Sequence, residues 1–423
     1  MKYNLNDRLK IGPLLLYALQ WWVVIIPSVI TMGLVVGKLH FGGDAVAQGF
    51  YMQKLFFVLG VTLLFQVLAG HKLPLVVGPA SVLLIGIIAS ASASMPAVYT
   101  AIMTGGLLLA LISAFDLLKY IRRIFTPRVV IIIMLLIPLT LGPTIVKLIF
   151  NNNQSALFNL LFVLIFSVGL LAVNNILKGV WKSATLILGI AAATIAYRLF
   201  TPSAALSGVI GVLSSEPKNI FVGFEFDPGV ILSFLCCAVA LMINEVGSIE
   251  AVGQMLSADK MEGRMRRGVG ITGLGSVLAG FFGVIGPIDY SSSPGIIAST
   301  RCASRFPFIP AALMLLVCAF IPQLVQELLT IPDAVMGTVL LYVMISQFAA
   351  GFQMTVNTKA VSDFNDGAGM GVSLMIALLI SFMPSGLSEQ IPSFIRPIVG
   401  NGFVMGIITI LIMEHVVYRK KRS

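Results

Sequence analysis

Long apolar stretches separated by short polar ones run the whole length of the chain. Stretches able to cross about 30 Å of hydrocarbon lie near residues 12–36, 55–70, 96–117, 129–150, 157–174, 183–199, 229–256, 269–287, 308–326, 332–350, 368–384 and 397–417. Two further apolar segments, LPLVVGPASVLL at 73–84 and GPIDYSSSPGIIAST at 286–300, are broken by Pro and Gly and lie about half the chain apart. In hydrocarbon every backbone N–H and C=O must be bonded internally, so such breaks are tolerated only where the freed groups line a protein-enclosed cavity. Paired breaks in corresponding places point to a transporter whose site lies between inverted repeats. The pattern predicts an all-α polytopic membrane protein of fourteen segments. The β-type run Leu75–Val77 before Gly78-Pro79 predicts a short extended piece, which a counterpart in the second break could pair with mid-membrane.

Composition agrees with this class. The chain is 58% hydrophobic and 10% charged, whereas a soluble domain carries about a quarter charged residues. The first apolar run is too long for a signal-peptide core and reads as an uncleaved first helix. A net charge of +10 raises the possibility of nucleic-acid binding, but fourteen crossings put most Lys and Arg residues on one side, the positive-inside bias. The basic clusters at 119–128, 260–267 and 419–422 therefore read as topology determinants, with both termini cytoplasmic. Loops are short; the longest, about 200–228, carries Glu216, Glu225 and Asp227 and is expected to face outward. Cys236, Cys237, Cys302 and Cys318 show no C-x-x-C spacing and read as packing residues, so neither a disulfide nor a metal site is expected. His40, His71 and His415 fall near helix ends, and no hydrolase, zinc-protease or phosphate-loop motif occurs. No cofactor is expected.

Function should sit where polar groups enter the apolar segments. An ionisable side chain at the bilayer centre costs roughly 2.5–3.5 kcal/mol on insertion scales, and Glu245, Glu250 and Asp289 are the clear cases. Asn244 and Ser248 are four residues apart on one helix face, with Glu245 turned about 100° away. Glu250 lies toward the basic loop at 260–267 and reads as structural or gating. For Glu245 the alternatives are a helix–helix contact, substrate contact, or proton or cation coupling. In the second break Asp289, Tyr290, Ser291, Ser292 and Ser293 precede Pro294 and Gly295, so polar side chains gather where a half-helix begins. Its free N–H groups and dipole suit a carbonyl or an anionic group. Ser293 reads as the N-cap, while Ser291 and Ser292 are expected to face a ligand. Ala80 and Ser81 follow Gly78-Pro79 in the same way.

At these residues the chain resembles the nucleobase-ascorbate transporter family, also called nucleobase:cation symporter 2, over essentially its full length. That family's tenth-segment signature is a Gln, Glu or Pro followed by N-x-G-x-x-x-x-T and an Arg, Lys or Gly. Gly295, Thr300 and Arg301 match it, with Ser292 and Ser293 at its first two positions. Gln20-Trp21 stands at the first-segment Gln-His pair, LPLVVGPAS at the third-segment strand, and Asn244, three residues before Gly247, at the eighth-segment binding Glu, with Glu245 one step on.

The resemblance implies two inverted seven-segment repeats, 1–199 and 229–423, with short β-strands in segments 3 and 10. It also implies a core domain of about 12–117 plus 229–326 and a gate domain of about 127–199 plus 332–417, moving as an elevator in a homodimer. The implied function is a proton-coupled symporter of a xanthine-, uracil- or urate-type nucleobase in the cell membrane. Asn244, Glu245, Ser248, Ser81, Tyr290, Ser291, Ser292 and Gln20 would contact substrate, and Tyr290 or Trp21 could cover a ring face. Glu245 or Asp289 would carry the proton, which a buried carboxyl could load and release. Gly78, Pro79, Gly247, Pro294, Gly295, Thr300 and Arg301 would shape the backbone. A sulfate or bicarbonate carrier of the related anion-transporter fold and a sodium-coupled transporter are the alternatives; against the former stands the expectation that no regulatory domain follows residue 423.

Overall fold

The computed structural model describes residues 1–121, 124–150, 154–177, 179–201, 220–290, 293–384, 387, 390–392 and 395–418. Within these the chain is largely helical: α1 (Ile11–Phe41), α2 (Ala45–Leu68), β1 (Val77–Pro79), α3 (Ser81–Ala89), α4 (Met95–Ala114), α5 (Leu118–Ile121), α6 (Pro127–Phe150), α7 (Ala156–Ile176), α8 (Gly179–Phe200) and α9 (Pro228–Met255). There follow α10 (Met261–Phe282), β2 (Pro287–Asp289), α11 (Ser293–Thr300), α12 (Phe308–Ala319), α13 (Pro322–Leu329), α14 (Asp333–Thr358), α15 (Phe364–Ser381), α16 (Arg396–Val399), α17 (Gly402–Ile412) and a π-helical turn, Met413–Val417.

Among the described residues eight helices (α1, α2, α4, α6, α7, α9, α14 and α15) are long and apolar enough to cross a membrane, and nine if α12 and α13 form one broken span. The segment expected to run unbroken over 308–326 is instead bent, since α12 and α13 meet at 81°. Pro322 starts the new helix at N1, where its missing N–H costs nothing. A second boundary also moves: α10 begins at Met261, so that Arg264, Arg266 and Arg267 lie within its first two turns rather than in a loop. Of the long 200–228 loop, Glu216 lies outside the described residues. Asp227 caps α9, its Oδ1 accepting from Gly229 N at 2.8 Å and Val230 N at 3.1 Å.

The helices pack in two groups. In one, α2 packs on α1, α10 and α12, and α4 packs on α9 and α10. α4 approaches α10 closely, so that a Cβ added to Gly106 would stand 2.6 Å from the Gly273 carbonyl oxygen. Only glycines permit that contact, as between helices in lipid generally. In the other group α6 packs on α14, α15 and α17, with α7 on α8 and α14, while α8 packs both on α14 and on α1 of the first group. Arg128, at the start of α6, fastens this group by donating to Ala360 O at 2.8 Å. It also pairs with Asp366 at 3.0 Å and Glu414 at 2.9 Å. Between the groups, Lys38 at the end of α1 pairs with Asp333 at the start of α14, and Asn401 Nδ2 donates to Ser233 Oγ at 3.3 Å.

Candidate functional site

Each broken segment has the same plan: a three-residue strand, a bend, then a short helix leading away. β1 and β2 pair antiparallel, Val77 opposite Asp289, Gly78 opposite Ile288 and Pro79 opposite Pro287. Hydrogen bonds outside the strands continue the pairing, from Tyr290 N to Val76 O at 2.8 Å and from Ala80 N to Gly286 O at 2.9 Å. Each break thus satisfies the backbone groups that the other exposes, as an apolar surround requires. Ser293 closes the junction: its Oγ accepts from Val76 N at 3.1 Å and donates to Tyr290 O at 3.0 Å. The Tyr290 ring lies across Gly78, where an added Cβ would stand 2.5 Å from its Cζ, and its hydroxyl donates to Pro79 O at 3.0 Å.

Behind the strands lies a buried polar cluster. Glu245 on α9, fully buried, accepts from Asp289 N at 2.9 Å through Oε2 and from Thr272 Oγ1 at 2.7 Å through Oε1. Gln66 Nε2 lies 3.3 Å from the same Oε1 and also donates to Gly268 O and Thr272 Oγ1, each at 2.9 Å. The Asp289 carboxyl lies 3.0 Å from His71 Nε2, both side chains fully buried. His71 Nδ1 accepts from Leu73 N at 2.9 Å, which assigns the ring proton to Nε2 on the aspartate side. The His71 carbonyl accepts from Arg264 Nη1 at 2.9 Å, and Arg264 in turn pairs with Asp259 at 2.8 Å. Arg264 holds the largely exposed Asp259 carboxyl below its ordinary range. Among the described residues no Lys or Arg side chain bonds the Glu245 or Asp289 carboxyl. Ser248 Oγ lies within hydrogen-bond distance of Asn244 O at 2.9 Å and Asp289 O at 3.1 Å.

In front of the strands is a cavity of about 170 Å³ between the two helix groups. One wall is formed by Met32, Ser81, Val82, Asn244, Ile288 and Tyr290, the other by Ile137 of α6 and Val343, Met344, Ser346, Gln347 and Ala350 of α14. Asn244, Ser81 and Tyr290 thus meet at one cavity, while Glu245 and Asp289 meet behind it and Ser248 joins the two. Ser291 and Ser292 lie outside the described residues. Gln20 is buried in α1 and does not line the cavity, and Trp21 packs on Phe308, ring centroids 4.5 Å apart. Gly247, one turn from Asn244, faces open space, with nothing within 4 Å of an added Cβ. Thr300 donates to Ile296 O at 2.9 Å, and Arg301 turns the chain with φ of 54°, its carbonyl accepting from Lys2 N at 2.7 Å. Pro294 and Gly295 belong to the first turn of α11.

Gln66, His71, Thr272 and Gln347 are functional candidates that the sequence pattern does not single out. The available signal is the same for the two glutamines: one long polar amide in an otherwise apolar stretch. His71 reads from sequence only as a helix-end residue, because the pairing that brings it to Asp289 spans about half of the chain.

This is the arrangement of a membrane carrier, and the comparisons agree. Residues 12–386 match the model of the Permease family, and the chain belongs to that family. It is 26% identical over 346 residues to the nucleobase transporter PlUacP of Paenibacillus larvae, covering 78% of this chain and 76% of that protein. It is 25% identical over 372 residues to the uric acid permease PucJ of Bacillus subtilis, covering 84% and 82%. Among solved structures, the transmembrane domain of the cyanobacterium bicarbonate transporter BicA is similar with a TM-score of 0.59 at 18% identity, covering 89% of this chain and 98% of that one. That likeness concerns the fold. The protein is a multi-pass integral membrane permease, and its relatives are transporters rather than enzymes.

Proposed function

We propose that the protein is a secondary active transporter that carries a nucleobase bound in the cavity between the two helix groups. The observation that carries this reading is the cavity itself. Its volume of about 170 Å³ is close to that of an engineered cavity of about 150 Å³ that takes one benzene, so it suits one planar ring system. Tyr290 offers a face, and Asn244 and Ser81 offer donors and acceptors for the ring's edge. The names of the relatives support the same substrate class.

In this reading the segments number fourteen when the two half-helix segments are counted, in inverted repeats 1–199 and 229–423. Residues 12–117 and 229–326 form the core and residues 127–199 and 332–417 the gate, against which the core moves as an elevator. The packing in two groups, with the cavity between them, supports that division. The termini are cytoplasmic, the protein sits in the cell membrane, and it works as a homodimer. Proton coupling runs through Glu245 and Asp289. Two buried carboxyls with no bonded Lys or Arg among the described residues, and an imidazole already accepting a backbone N–H, gain from taking up one proton, since like charges this close are costly.

Uptake by proteoliposomes of uracil, xanthine, hypoxanthine and urate tests the reading, with sulfate and bicarbonate as comparators. Saturable, mutually competing uptake of bases, driven by an inward proton gradient without sodium, is expected. Bicarbonate or sulfate uptake that no base inhibits would establish an anion carrier instead, and strict sodium dependence would replace the proton.

A further inference from the structure

Transport as proposed draws on only one wall of the cavity. On the other, Val343, Met344, Ser346, Gln347 and Ala350 recur at the spacing of a single helix face. Ser346 spends its hydroxyl on its own helix, donating to Tyr342 O at 3.2 Å. Gln347 has no such use: half-buried, its amide has no hydrogen-bond partner among the described residues. Asn244, across the cavity, is in the same condition, and among the described residues no charged side chain lines the space between them. Two amides that face one another across a largely apolar site, with no protein partner among the described residues, are available to pair with the edges of a ligand.

We propose that Gln347 is a specificity-determining residue, which with Asn244 grips a neutral lactam-type heterocycle by two of its edges, one amide from each helix group. The inference rests on the cavity's being the nucleobase site. An amide offers an acceptor oxygen and a donor NH2 side by side, the complement of the adjacent N–H and C=O of a lactam. It can also turn over to meet an amino group beside a ring nitrogen. A carboxylate in either place would only accept. The protein therefore reads bases with uncharged groups on both walls, and the grip is complete only when α14 stands against α9's cavity face.

The test is equilibrium binding of xanthine, guanine, hypoxanthine and adenine to purified protein in nanodiscs. These bases share one ring system and differ in their exocyclic groups. Gln347→Met removes the amide at similar volume, and Gln347→Asn keeps it but withdraws it by one methylene. In the Met variant affinity is expected to fall roughly fivefold to 100-fold for the preferred bases, and the spread of affinities across the four bases to shrink at least about fivefold. In the Asn variant the order of preference should change. Parallel weakening of all four bases with the spread and order kept, in both variants, would overturn the proposal while leaving the transport reading intact. Failure of the parent protein to bind any of them would overturn that reading and this one together.

Discussion

Glu245→Gln and Glu245→Ala separate the charge of the buried carboxyl from its scaffolding role. Glu245 receives three donors: the Asp289 backbone N–H, the Thr272 hydroxyl and the Gln66 amide. In the Ala variant Thr272 can rotate, and Gln66 keeps Gly268 O and Thr272. The Asp289 N–H cannot turn away from its site, so it alone is orphaned, at about 1–3 kcal/mol. Loss of the buried side-chain packing adds to that, and the expected total is about 2–4 kcal/mol. The Gln variant keeps an oxygen for Asp289 N and can place its NH2 toward the Thr272 oxygen, so its cost should stay below about 1 kcal/mol. Thermal unfolding in detergent measures the first difference: Ala well below the parent, Gln close to it. Transport measures the second. The substituted amide mimics the neutral acid, so the Gln variant should exchange base across the liposome membrane but not accumulate it on a proton gradient. Full concentrative uptake by Glu245→Gln would refute the coupling role, and an Ala variant as heat-stable as the parent would refute the hydrogen-bond accounting.

Three other outcomes are expected. Asn244→Ala should weaken base binding by about 1–3 kcal/mol in calorimetry while leaving the melting temperature near that of the parent, since its amide bonds no described residue. Arg128→Ala should destabilise by about 3 kcal/mol, the lower end of the range for a broken buried pair, because Asp366 is left buried and Arg128 itself is 18% exposed; unfolding curves check this. Lys38 and Asp333 are about a third exposed, so Lys38→Ala should cost under about 1 kcal/mol of stability. It should change the balance between transport states all the same, read as altered cysteine accessibility along α14, with the exchanged pair Lys38→Asp and Asp333→Lys restoring the parent pattern.

The breaks at 73–84 and 286–300 are legible because Pro and Gly have few tolerable places in hydrocarbon, and both turn out to hold a strand followed by a short helix. The apolar run before Gly78-Pro79 likewise marks the strand, shifted by two residues. What local pattern cannot convey is partnership. Glu245 and Asp289 are each visible as lone carboxyls, but that they meet depends on β2 lying along α9, a contact between distant elements. Gln66 and Thr272 sit in α2 and α10, where a single polar residue looks like any other tolerated one until the packing points it at a carboxylate. The bend at Ile321-Pro322 is hidden for the opposite reason: the hydropathy runs straight through it, and only the lone proline marks it. α10 also reads as an apolar segment from 269, although its helix opens on basic residues, of which Arg266 and Arg267 are exposed while Arg264 is buried and reaches the His71 carbonyl.

The pairing of Val77–Pro79 with Pro287–Asp289 also bears on how the protein is made. The chain leaves the ribosome from its N-terminus, so β1 is synthesised about two hundred residues before the strand that completes it. Until then its backbone groups have no partner within the nascent chain, and they cannot rest in lipid without one. The first half must therefore wait with this segment in a wet or chaperoned setting, and the centre of the molecule is among the last parts to close. A truncated chain ending before β2 should accordingly be a target for membrane quality control even though every full-length helix of its first half is present.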